Sequence, residues 1–251
     1  MKTLAICNNK GGCGKTTTAY HLGRLLAGRD YRILLVDLDP QANLSARLHA
    51  PGTPPPWDNT IDAVLGGAAS AKCRLSEIIV EVDCTWRSLH LAPSSDELAN
   101  VALGLLHDVI AGRMALRRAL HTVEAQYDLA IVDCPPEAGI LLANALLAAD
   151  GLLLVAEPET DAMAGMVRVA KMAATVREDR ERATPVTLGM VATMADLRTN
   201  LHQAGLYLME QRNDIAPLWG IVPQRNGETR DHELAVAYAA VAEKVEGWLH
   251  A

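Results

Sequence analysis

Phenylalanine is absent from this chain of 251 residues, and aromatic residues make up only 4% of it. Leu, Val, Ile and Ala must therefore fill the core. The five cysteines are an odd number and lack C-x-x-C spacing, which argues against a disulfide framework or a paired-cysteine metal site. We expect them to be reduced, small buried hydrophobic residues. No apolar run approaches the roughly 20 residues of a membrane span, and no basic-then-apolar leader precedes the first motif, so we predict a cytoplasmic protein.

Basic residues are outnumbered by acidic ones, 23 against 30, which gives a net charge of −7. This balance argues against a surface covered with nucleic-acid-binding cations, although a local basic patch is compatible with it. Hydrophobic residues account for 50% and charged residues for 21%, close to the averages of globular domains. Disorder, collagen and coiled coil are thereby excluded. Because we find neither an internal repeat nor a second core, we predict that residues 1–251 form one domain.

Short apolar runs alternate with longer helix-patterned stretches along the chain. Several of the apolar runs are continuously hydrophobic, which is typical of parallel strands covered on both faces. The alternation predicts an α/β fold, a doubly wound, mostly parallel sheet flanked by helices. The predicted strands are Thr3–Cys7, Ile33–Val36, Leu89–Leu91, Leu129–Val132, Leu152–Ala156, Thr187–Val191 and Leu218–Val222. The predicted helices include Thr16–Gly28, Glu97–Gln126, Ala162–Arg177 and Asn200–Gln211.

Four prolines interrupt this pattern between Ala50 and Asn59, so this segment is neither helix nor central strand. It is either an ordinary surface connection or a flap that faces the site or a partner.

A glycine-rich segment follows the first predicted strand. It has the G-x-G-K-T core of a phosphate-binding loop, but Asn9 stands where the standard G-x-x-x-x-G-K-[ST] pattern has its first glycine. Glycines let backbone N–H groups turn toward phosphates, and the following helix N-terminus adds partial positive charge. Lys15 would supply a cation for the β- and γ-phosphates, and the Thr16 hydroxyl would be a ligand for Mg²⁺. The segment reads Lys10-Gly11-Gly12-Cys13-Gly14-Lys15-Thr16-Thr17-Thr18.

A second lysine, Lys10, lies at the entrance of this loop. Its position makes a contact with the phosphates of its own loop difficult. We therefore expect Lys10 to reach a nucleotide held by a second subunit. The alternative is a solvated surface lysine.

This loop resembles that of the ParA/MinD family of deviant Walker A P-loop ATPases, whose signature lysine lies at the place of Lys10. Ile33–Ser45 resembles the second acidic motif of that family, and Tyr127–Pro136 resembles its Walker B strand and switch. Leu91–Ala99 and Asp196–Leu201 resemble segments of the ParA branch in particular. These motifs occur in the family's order over most of the chain. The resemblance implies a P-loop ATPase with weak intrinsic turnover and with ATP and Mg²⁺ as cofactors.

Three aspartates end or follow two of the apolar strands. Asp39 precedes Pro40 and should project from the carboxyl edge of the sheet, where such sheets bind ligands. The resemblance implies that Asp39 orients or activates the attacking water near Mg²⁺; the alternative is a cap of the next helix. Asp37 would support the metal shell. Asp133 would hold Mg²⁺ through water, with a plain strand-end turn as its alternative.

The base-binding residues are indicated less clearly. Outside the phosphate loop the chain has no N/T-K-x-D motif for guanine, so adenine is favoured. By resemblance, the base lies near Met194 and the stretch that contains Pro223 and Asn226. The family usually shows I-P-R-N there, whereas this chain reads V-P-Q-R-N, an apparent shift of one residue.

The ParA branch implies an ATP-dependent homodimer that binds DNA without sequence preference. A ParB-like or other partner then stimulates hydrolysis, and a plasmid, a chromosome or another cargo is segregated. Arg198 matches an arginine implicated in DNA contact, and Arg225 and Arg230 lie in the corresponding downstream region. Arginines on DNA phosphates give non-specific, salt-sensitive binding, although nearby acidic residues would weaken this patch. Such a protein is associated with the nucleoid when ATP is bound.

Two other functions fit the sequence less well. A MinD-like membrane switch needs a basic amphipathic C-terminal helix, but Glu233–Ala251 has Lys244 as its only lysine or arginine against three glutamates. We expect that tail to be a docked structural helix. An iron–sulfur protein needs paired cysteines from each subunit, and Cys84 and Cys134 lack the glycine-rich context of that class. The segment Glu157–Gly165 departs from the aromatic version common in ParA proteins, which puts the usual dimer or partner contact there in doubt.

Overall fold

The computed structural model describes residues 1–48, 60–66, 73–82, 88–107, 112–180, 184–224 and 231–251. These residues form an eight-stranded sheet in the order β3-β4-β2-β5-β1-β6-β7-β8, with helices on both faces. The strands are β1 Lys2–Cys7, β2 Ile33–Asp37, β3 Val80–Glu81, β4 Leu89–Ala92, β5 Leu129–Asp133, β6 Gly151–Ala156, β7 Val186–Ala195 and β8 Leu218–Pro223. The helices are α1 Lys15–Ala27, α2 Asn43–Leu48, α3 Ile61–Leu65, α4 Leu75–Ile78, α5 Leu98–Leu105, α6 Ala115–His121, α7 Ile140–Ala148, α8 Thr160–Arg180, α9 Asn200–Glu210 and α10 Asp231–His250.

The predicted fold class is confirmed. Every pair of neighbouring strands is parallel except β3 and β4, which are antiparallel. All seven predicted strands are present, and every end except that of β7 agrees within one residue. The runs that form β1, β2, β5 and β6 are short, apolar and buried on both faces. The two-residue strand β3 was not predicted, since two residues carry no periodicity. The proline-rich segment between Ala50 and Asn59 lies outside the described residues.

The prediction of one helix over Glu97–Gln126 is wrong. Helix α5 ends at Leu105, a 3₁₀ turn follows at Gly112–Met114, and α6 runs from Ala115 to His121. Gly112 lies against the backbone of α5, so close that a Cβ atom there would be 2.1 Å from the Leu105 carbonyl oxygen. The chain therefore folds back on α5 at this point, which one continuous helix cannot do.

Alternate residues of each central strand face opposite layers of the core. In β1, Leu4 and Ile6 belong to the layer beneath α1 and α10, whereas Ala5 and Cys7 belong to the layer beneath α5–α8. The same period of two places Asp37 and Asp133 on the α1 side, because Ile33, Leu35, Leu129 and Ile131 all lie there. Asp37 and Asp133 are also register partners on the adjacent strands β2 and β5.

The C-terminal helix α10 is docked on the α1 layer, as predicted for the tail. Leu234, Tyr238, Val241 and Val245 are at most 4% exposed. The Tyr238 hydroxyl lies 3.0 Å from Thr18 Oγ1 on α1, in a buried contact. The apolar side of this helix is therefore occupied by the core. None of the described helices is both long enough and apolar enough to span a membrane.

The four described cysteines are unpaired by disulfides, as expected from the sequence. Cys7 and Cys134 meet across β1 and β5 with their sulfurs 3.3 Å apart, and burial raises the pKa of the Cys134 thiol well above its usual range. Cys13 is 1% exposed. The proposed iron–sulfur alternative also involved Cys84, which lies outside the described residues.

Candidate functional site

The phosphate loop joins β1 to α1 at the carboxyl edge of the sheet. Gly12 and Gly14 have φ values of 75° and 84°, in the left-handed region that side chains strongly disfavour. A Cβ atom added at Gly11 or Gly12 would meet nothing within 4 Å, so open space lies over this part of the backbone. Helix α1 begins at Lys15, immediately after the second of these turns. The loop therefore presents backbone amides and a helix N-terminus next to open space.

Lys15 is only 6% exposed and is folded over the loop. Its ammonium donates to the Lys10 carbonyl oxygen at 2.9 Å and lies 3.9 Å from the Cys13 sulfur. The Cys13 carbonyl accepts a hydrogen bond from Thr193 Oγ1 at 2.7 Å, which ties the loop to the end of β7. Lys15 is thus held where its charge faces the loop rather than bulk solvent.

Two asparagines at the start of the loop anchor it to distant parts of the chain. Asn8 Nδ2 donates to the carbonyl oxygens of Val155 at 2.6 Å and Ala162 at 3.0 Å. Asn9 Nδ2 donates to the Pro136 carbonyl oxygen at 2.6 Å. Sequence reasoning treated Asn9 only as the replacement for a glycine and missed both anchors. The sequence does contain a feature that indicates these anchors, namely two consecutive side-chain amides directly after a buried strand.

Asp37 organises the segment that carries Asp39. Its carboxylate accepts hydrogen bonds from the Asp39 backbone N–H at 3.2 Å and from the Ser45 backbone N–H and hydroxyl at 2.8 and 2.7 Å. Ser94 donates through its hydroxyl to the Asp39 carbonyl oxygen at 2.9 Å and through its N–H to Ser45 Oγ. Burial raises the pKa of Asp37 to about 6, against the lowering effect of these hydrogen bonds. Both oxygens of Asp37 are thus engaged in holding the turn.

Asp39 is 8% exposed and lies at the carboxyl edge, as expected. Its Oδ1 accepts a hydrogen bond from the Gln41 backbone N–H at 3.0 Å. A pocket of about 370 Å³, lined mainly by apolar side chains, separates the Asp39–Gln41 turn from Pro135 and Pro136. The segment after β5 is therefore not packed tightly against Asp39.

Asp133 is 1% exposed, and neither of its carboxylate oxygens has a hydrogen-bond partner among the described residues. Burial raises the pKa of Asp133 well above its usual range, and the Asp37 carboxylate adds to the rise, whereas Thr16 and Lys15 oppose it. A buried carboxylate without a partner is costly unless a cation or donor joins it. The arrangement of Asp133 beside Thr16 fits Mg²⁺, an oxygen-seeking ion that usually takes one or two protein ligands together with water and phosphate. The described residues contain no cluster of three or more His, Cys, Asp and Glu side chains suited to a metal.

Lys10 is held by its own chain. Its ammonium lies 3.3 Å from Glu159 Oε2 and 3.6 Å from Glu157 Oε2, both in the segment between β6 and α8. Partial burial lowers the pKa of Lys10, but Glu159 and the other nearby carboxylates outweigh it and raise the pKa overall. His202 Nε2 lies 3.6 Å from Glu159 Oε1. Glu157 and Glu159 belong to the segment Glu157–Gly165, where the sequence put the usual dimer or partner contact in doubt. This same segment contacts Lys10.

The predicted base-binding residues Met194 and Pro223 lie at the ends of the adjacent strands β7 and β8. Ala195 and Pro223 are register partners, and the Gln224 N–H donates to the Ala195 carbonyl oxygen at 3.0 Å. Met194 has a φ of 51°, so the strand bends at this point. The structure therefore brings both residues to the same edge as the phosphate loop. Asn226, Arg225 and Arg230 lie outside the described residues.

Arg198 is exposed, with 74% of its side chain accessible, but its guanidinium is paired. Its Nε and Nη2 each donate to an Asp196 carboxylate oxygen at 2.8 Å. These hydrogen bonds lower the pKa of Asp196 to about 2. The predicted DNA contact is thus a neutralised pair in this conformation.

Comparison with known proteins places the chain in a family. The family model described as AAA domain matches residues 1–184. The chain is 32% identical over 217 residues to the sporulation initiation inhibitor protein Soj of Bacillus subtilis, covering 84% of this chain and 78% of that protein. It is 35% identical over 218 residues to an uncharacterised protein of Mycobacterium tuberculosis, covering 85% of this chain but only 65% of that longer protein.

A solved structure supports the same assignment. Cobyrinic acid a,c-diamide synthase from Mycobacterium smegmatis, with bound ADP and magnesium, superimposes with a TM-score of 0.83 at 29% identity. The similarity covers 99% of this chain and 95% of that one. A P-loop with two lysines, strand-end aspartates and a mostly parallel sheet all accord with these matches. The chain belongs to the ParA/Soj family of P-loop proteins.

Proposed function

We propose that this protein is a positioning ATPase that dimerises on ATP, binds non-specific DNA as the dimer and releases it when a ParB-like or other partner stimulates hydrolysis. The observation that carries the ATPase part is Asp133. Its two buried oxygens accept no hydrogen bond that meets distance and angle criteria from the described residues, and Thr16 and Lys15 lie near enough to oppose the rise of its pKa. A cation coordinated by phosphates satisfies such a site, whereas a merely structural turn leaves it strained.

Each residue of the site has a part in nucleotide binding. The backbone amides from Gly11 to Gly14 and the α1 N-terminus face the phosphates. Lys15 exchanges its bond to the Lys10 carbonyl for the β- and γ-phosphate oxygens. Thr16 and Asp133 hold Mg²⁺, the latter through water. When bound, Mg²⁺ neutralises charge on the β- and γ-phosphates.

Asp39 is the residue that orients the attacking water. It is fixed at the carboxyl edge by Asp37, Ser45 and Ser94 through backbone and hydroxyl hydrogen bonds. An orienting carboxylate must be held in place, and this turn holds it. The open pocket on its far side leaves the chain after Asp133 free to change position with nucleotide state.

Lys10 connects nucleotide binding to dimerisation. In the single chain it pairs with Glu159, a contact between partly exposed groups that is worth little and is easily exchanged. A triphosphate held by a second copy carries more negative charge than one carboxylate. Lys10 therefore transfers to it when two copies meet face to face.

DNA binding by the dimer is assigned to Arg198 on each copy. Arg198 is exposed, with 74% of its side chain accessible against 15% for Asp196, so a DNA phosphate can approach the outer side of the guanidinium. Two weak patches in one dimer bind with higher avidity than either alone. The MinD-like alternative requires an apolar helix face free for lipid, whereas that of α10 packs on α1 and β8.

The decisive experiment measures retention on a non-specific DNA duplex with ATP, with ADP and without nucleotide, together with ATP turnover and sedimentation with anionic liposomes. We expect slow ATP turnover. We expect the protein to be retained on DNA with ATP but not with ADP or without nucleotide. Equal retention in all three nucleotide states would refute the ATP-dependent DNA switch. ATP-dependent sedimentation with liposomes would instead favour the membrane alternative.

A further inference from the structure

Arg47, on the short helix α2, reaches across to the phosphate-loop helix α1. Its Nη1 donates to Thr17 Oγ1 at 3.2 Å, and its guanidinium carbon lies 4.2 Å from the centre of the Tyr20 ring. Tyr20 is contacted on α1 by a second arginine, Arg24, whose guanidinium carbon is 5.3 Å from the ring and whose Nη1 donates to the Tyr20 hydroxyl at 2.5 Å. Two arginines thus share one tyrosine, but of the two only Arg47 is hydrogen-bonded to Thr17 in the first turn of α1.

No carboxylate among the described residues forms an ion pair with Arg47. Its contact with Tyr20 is a cation–π interaction, which fixes the direction of the guanidinium without neutralising it. Its hydrogen bond within the described residues goes to a neutral hydroxyl, and the planar guanidinium carries five N–H donors in all. Arg47 is therefore a positioned cation at the rim of the loop.

We propose that Arg47 is a ligand of the bound nucleotide, contacting the phosphate closest to the ribose. This inference rests on the proposed nucleotide site. Lys15 serves the β- and γ-phosphates at the start of α1, and Thr17 lies two residues further along the same helix. The phosphate left for a second cation beside this helix start is therefore the one next to the ribose. A guanidinium within hydrogen-bond distance of Thr17 reaches the non-bridging oxygens of that phosphate with its remaining donors.

The placement of Arg47 also joins nucleotide binding to the Asp39 turn. Arg47 follows Ser45 by two residues, and Ser45 is fixed to Asp37 through its N–H and hydroxyl. A phosphate gripped by Arg47 draws α2 toward α1, and the turn that carries Asp39 is held to the same helix. The contact is present with either a diphosphate or a triphosphate, because it does not involve the γ-phosphate.

The test compares Arg47→Ala with Arg24→Ala, which removes the same charge from the other side of Tyr20 without touching Thr17. The affinities of both variants and of the wild type for Mg·ATP and Mg·ADP are measured by calorimetry at one fixed salt concentration. We expect Arg47→Ala to weaken both nucleotides by the same factor, roughly tenfold. Arg24→Ala should change either affinity by less than about twofold.

A second pair of variants tests how Arg47 is held. Tyr20→Phe keeps the aromatic face and should retain most of the affinity, whereas Tyr20→Leu removes it and should weaken both nucleotides about threefold. The midpoint of thermal unfolding of each variant is measured without nucleotide. This control shows whether a variant is folded at the temperature at which its affinity is measured.

Several results would overturn the inference. Arg47→Ala could match Arg24→Ala for both nucleotides, or it could weaken ATP alone, which would place the guanidinium at the γ-phosphate. A loss of DNA retention with unchanged nucleotide affinity would assign Arg47 to DNA instead. Failure of the wild type to bind either nucleotide would refute the proposed function and this inference together, whereas the other outcomes leave the proposed function intact.

Discussion

The Lys10 ammonium lies 3.3 Å from Glu159 Oε2, so the entrance of the phosphate loop is linked to the start of α8 within one chain. If Lys10 must leave Glu159 to reach a second copy, the two residues have opposite effects on dimerisation. We expect Lys10→Ala to fold normally but to impair ATP-dependent dimerisation or hydrolysis. Glu159→Gln should weaken the internal pair and favour the ATP-bound dimer about twofold to threefold, since such pairs are worth under about 1 kcal/mol.

Sedimentation velocity with ATP and with ADP measures this effect. Glu157→Gln should act in the same direction with a smaller effect, because Glu157 also pairs with the ammonium but lies further from it, at 3.6 Å. Wild-type dimerisation and wild-type turnover by Lys10→Ala would together remove Lys10 from any role across the dimer.

Lys15 carries the second prediction, loss of nucleotide binding. The Lys15 side chain is buried over the loop, and its positive charge opposes the rise of the Asp133 pKa. Lys15→Ala should abolish nucleotide binding, with an affinity loss of at least about 100-fold because a charge-assisted contact to two phosphates disappears. Titration with a fluorescent ATP analogue measures it. Lys10→Ala serves as the control and should keep the affinity of the monomer; unchanged binding by Lys15→Ala would contradict the phosphate-loop assignment.

Asp39 and Asp37 are two residues apart but should behave differently when replaced. Asp39→Ala should still bind ATP and hydrolyse it about 100-fold more slowly, trapping a dimer, because a water-orienting group is lost. Asp37→Ala should instead lower the free energy of unfolding by about 2–4 kcal/mol, because three hydrogen-bond donors from Asp39 and Ser45 lose their acceptor. Single-turnover hydrolysis and urea unfolding separate the two effects. Wild-type turnover by Asp39→Ala would remove Asp39 from catalysis.

Much of the fold could be predicted from the sequence because its central strands are buried on both faces. Continuous apolar runs such as Leu152–Ala156 signal that environment directly. The error at Glu97–Gln126 has a local cause. Its apolar residues suit a helix, but Gly112 lies against the Leu105 carbonyl, an approach that a continuous helix does not allow. Spacing along the sequence does not encode such a backbone contact.

The site divides in the same way. Lys15, Thr16, Asp39 and Asp133 follow strand ends or the glycine loop, and the parallel topology brings strand ends to one edge. The residues that hold them were missed because their partners are remote in sequence. Asn8 bonds to Val155, 147 residues away, and Ser94 bonds to Asp39, 55 residues away.

Because Asp196 neutralises Arg198, replacing either residue should change DNA retention, and the two changes should be opposite. Arg198→Glu should reduce retention on non-specific DNA without changing ATP affinity, since a phosphate contact becomes a repulsion. Asp196→Asn should increase retention about twofold to threefold by freeing the guanidinium. Filter binding at low salt with ATP checks both. Arg212→Glu is the control, because Arg212 forms a similar exposed pair with Asp214. Equal retention by Arg198→Glu and wild type would discard Arg198 as a DNA contact.

Tyr238 tests whether α10 is a structural helix. Its hydroxyl contacts Thr18 Oγ1 at 3.0 Å within a buried interface, and burial raises its pKa to about 12, so it stays protonated and able to donate. Tyr238→Phe should lower the free energy of unfolding by about 1 kcal/mol, the value of one hydrogen bond. Tyr238→Ala should lower it by about 3–5 kcal/mol, because a large side chain leaves a cavity between α10 and α1.

Urea unfolding followed by circular dichroism measures both changes, with Tyr207→Phe as the control because Tyr207 is 61% exposed. A helix that leaves the body of the protein to bind lipid contributes little to folding stability. Unfolding curves of Tyr238→Ala that coincide with those of the wild type would therefore restore the membrane alternative. A loss of the expected size places the apolar side of α10 in the core, where it is unavailable to a bilayer.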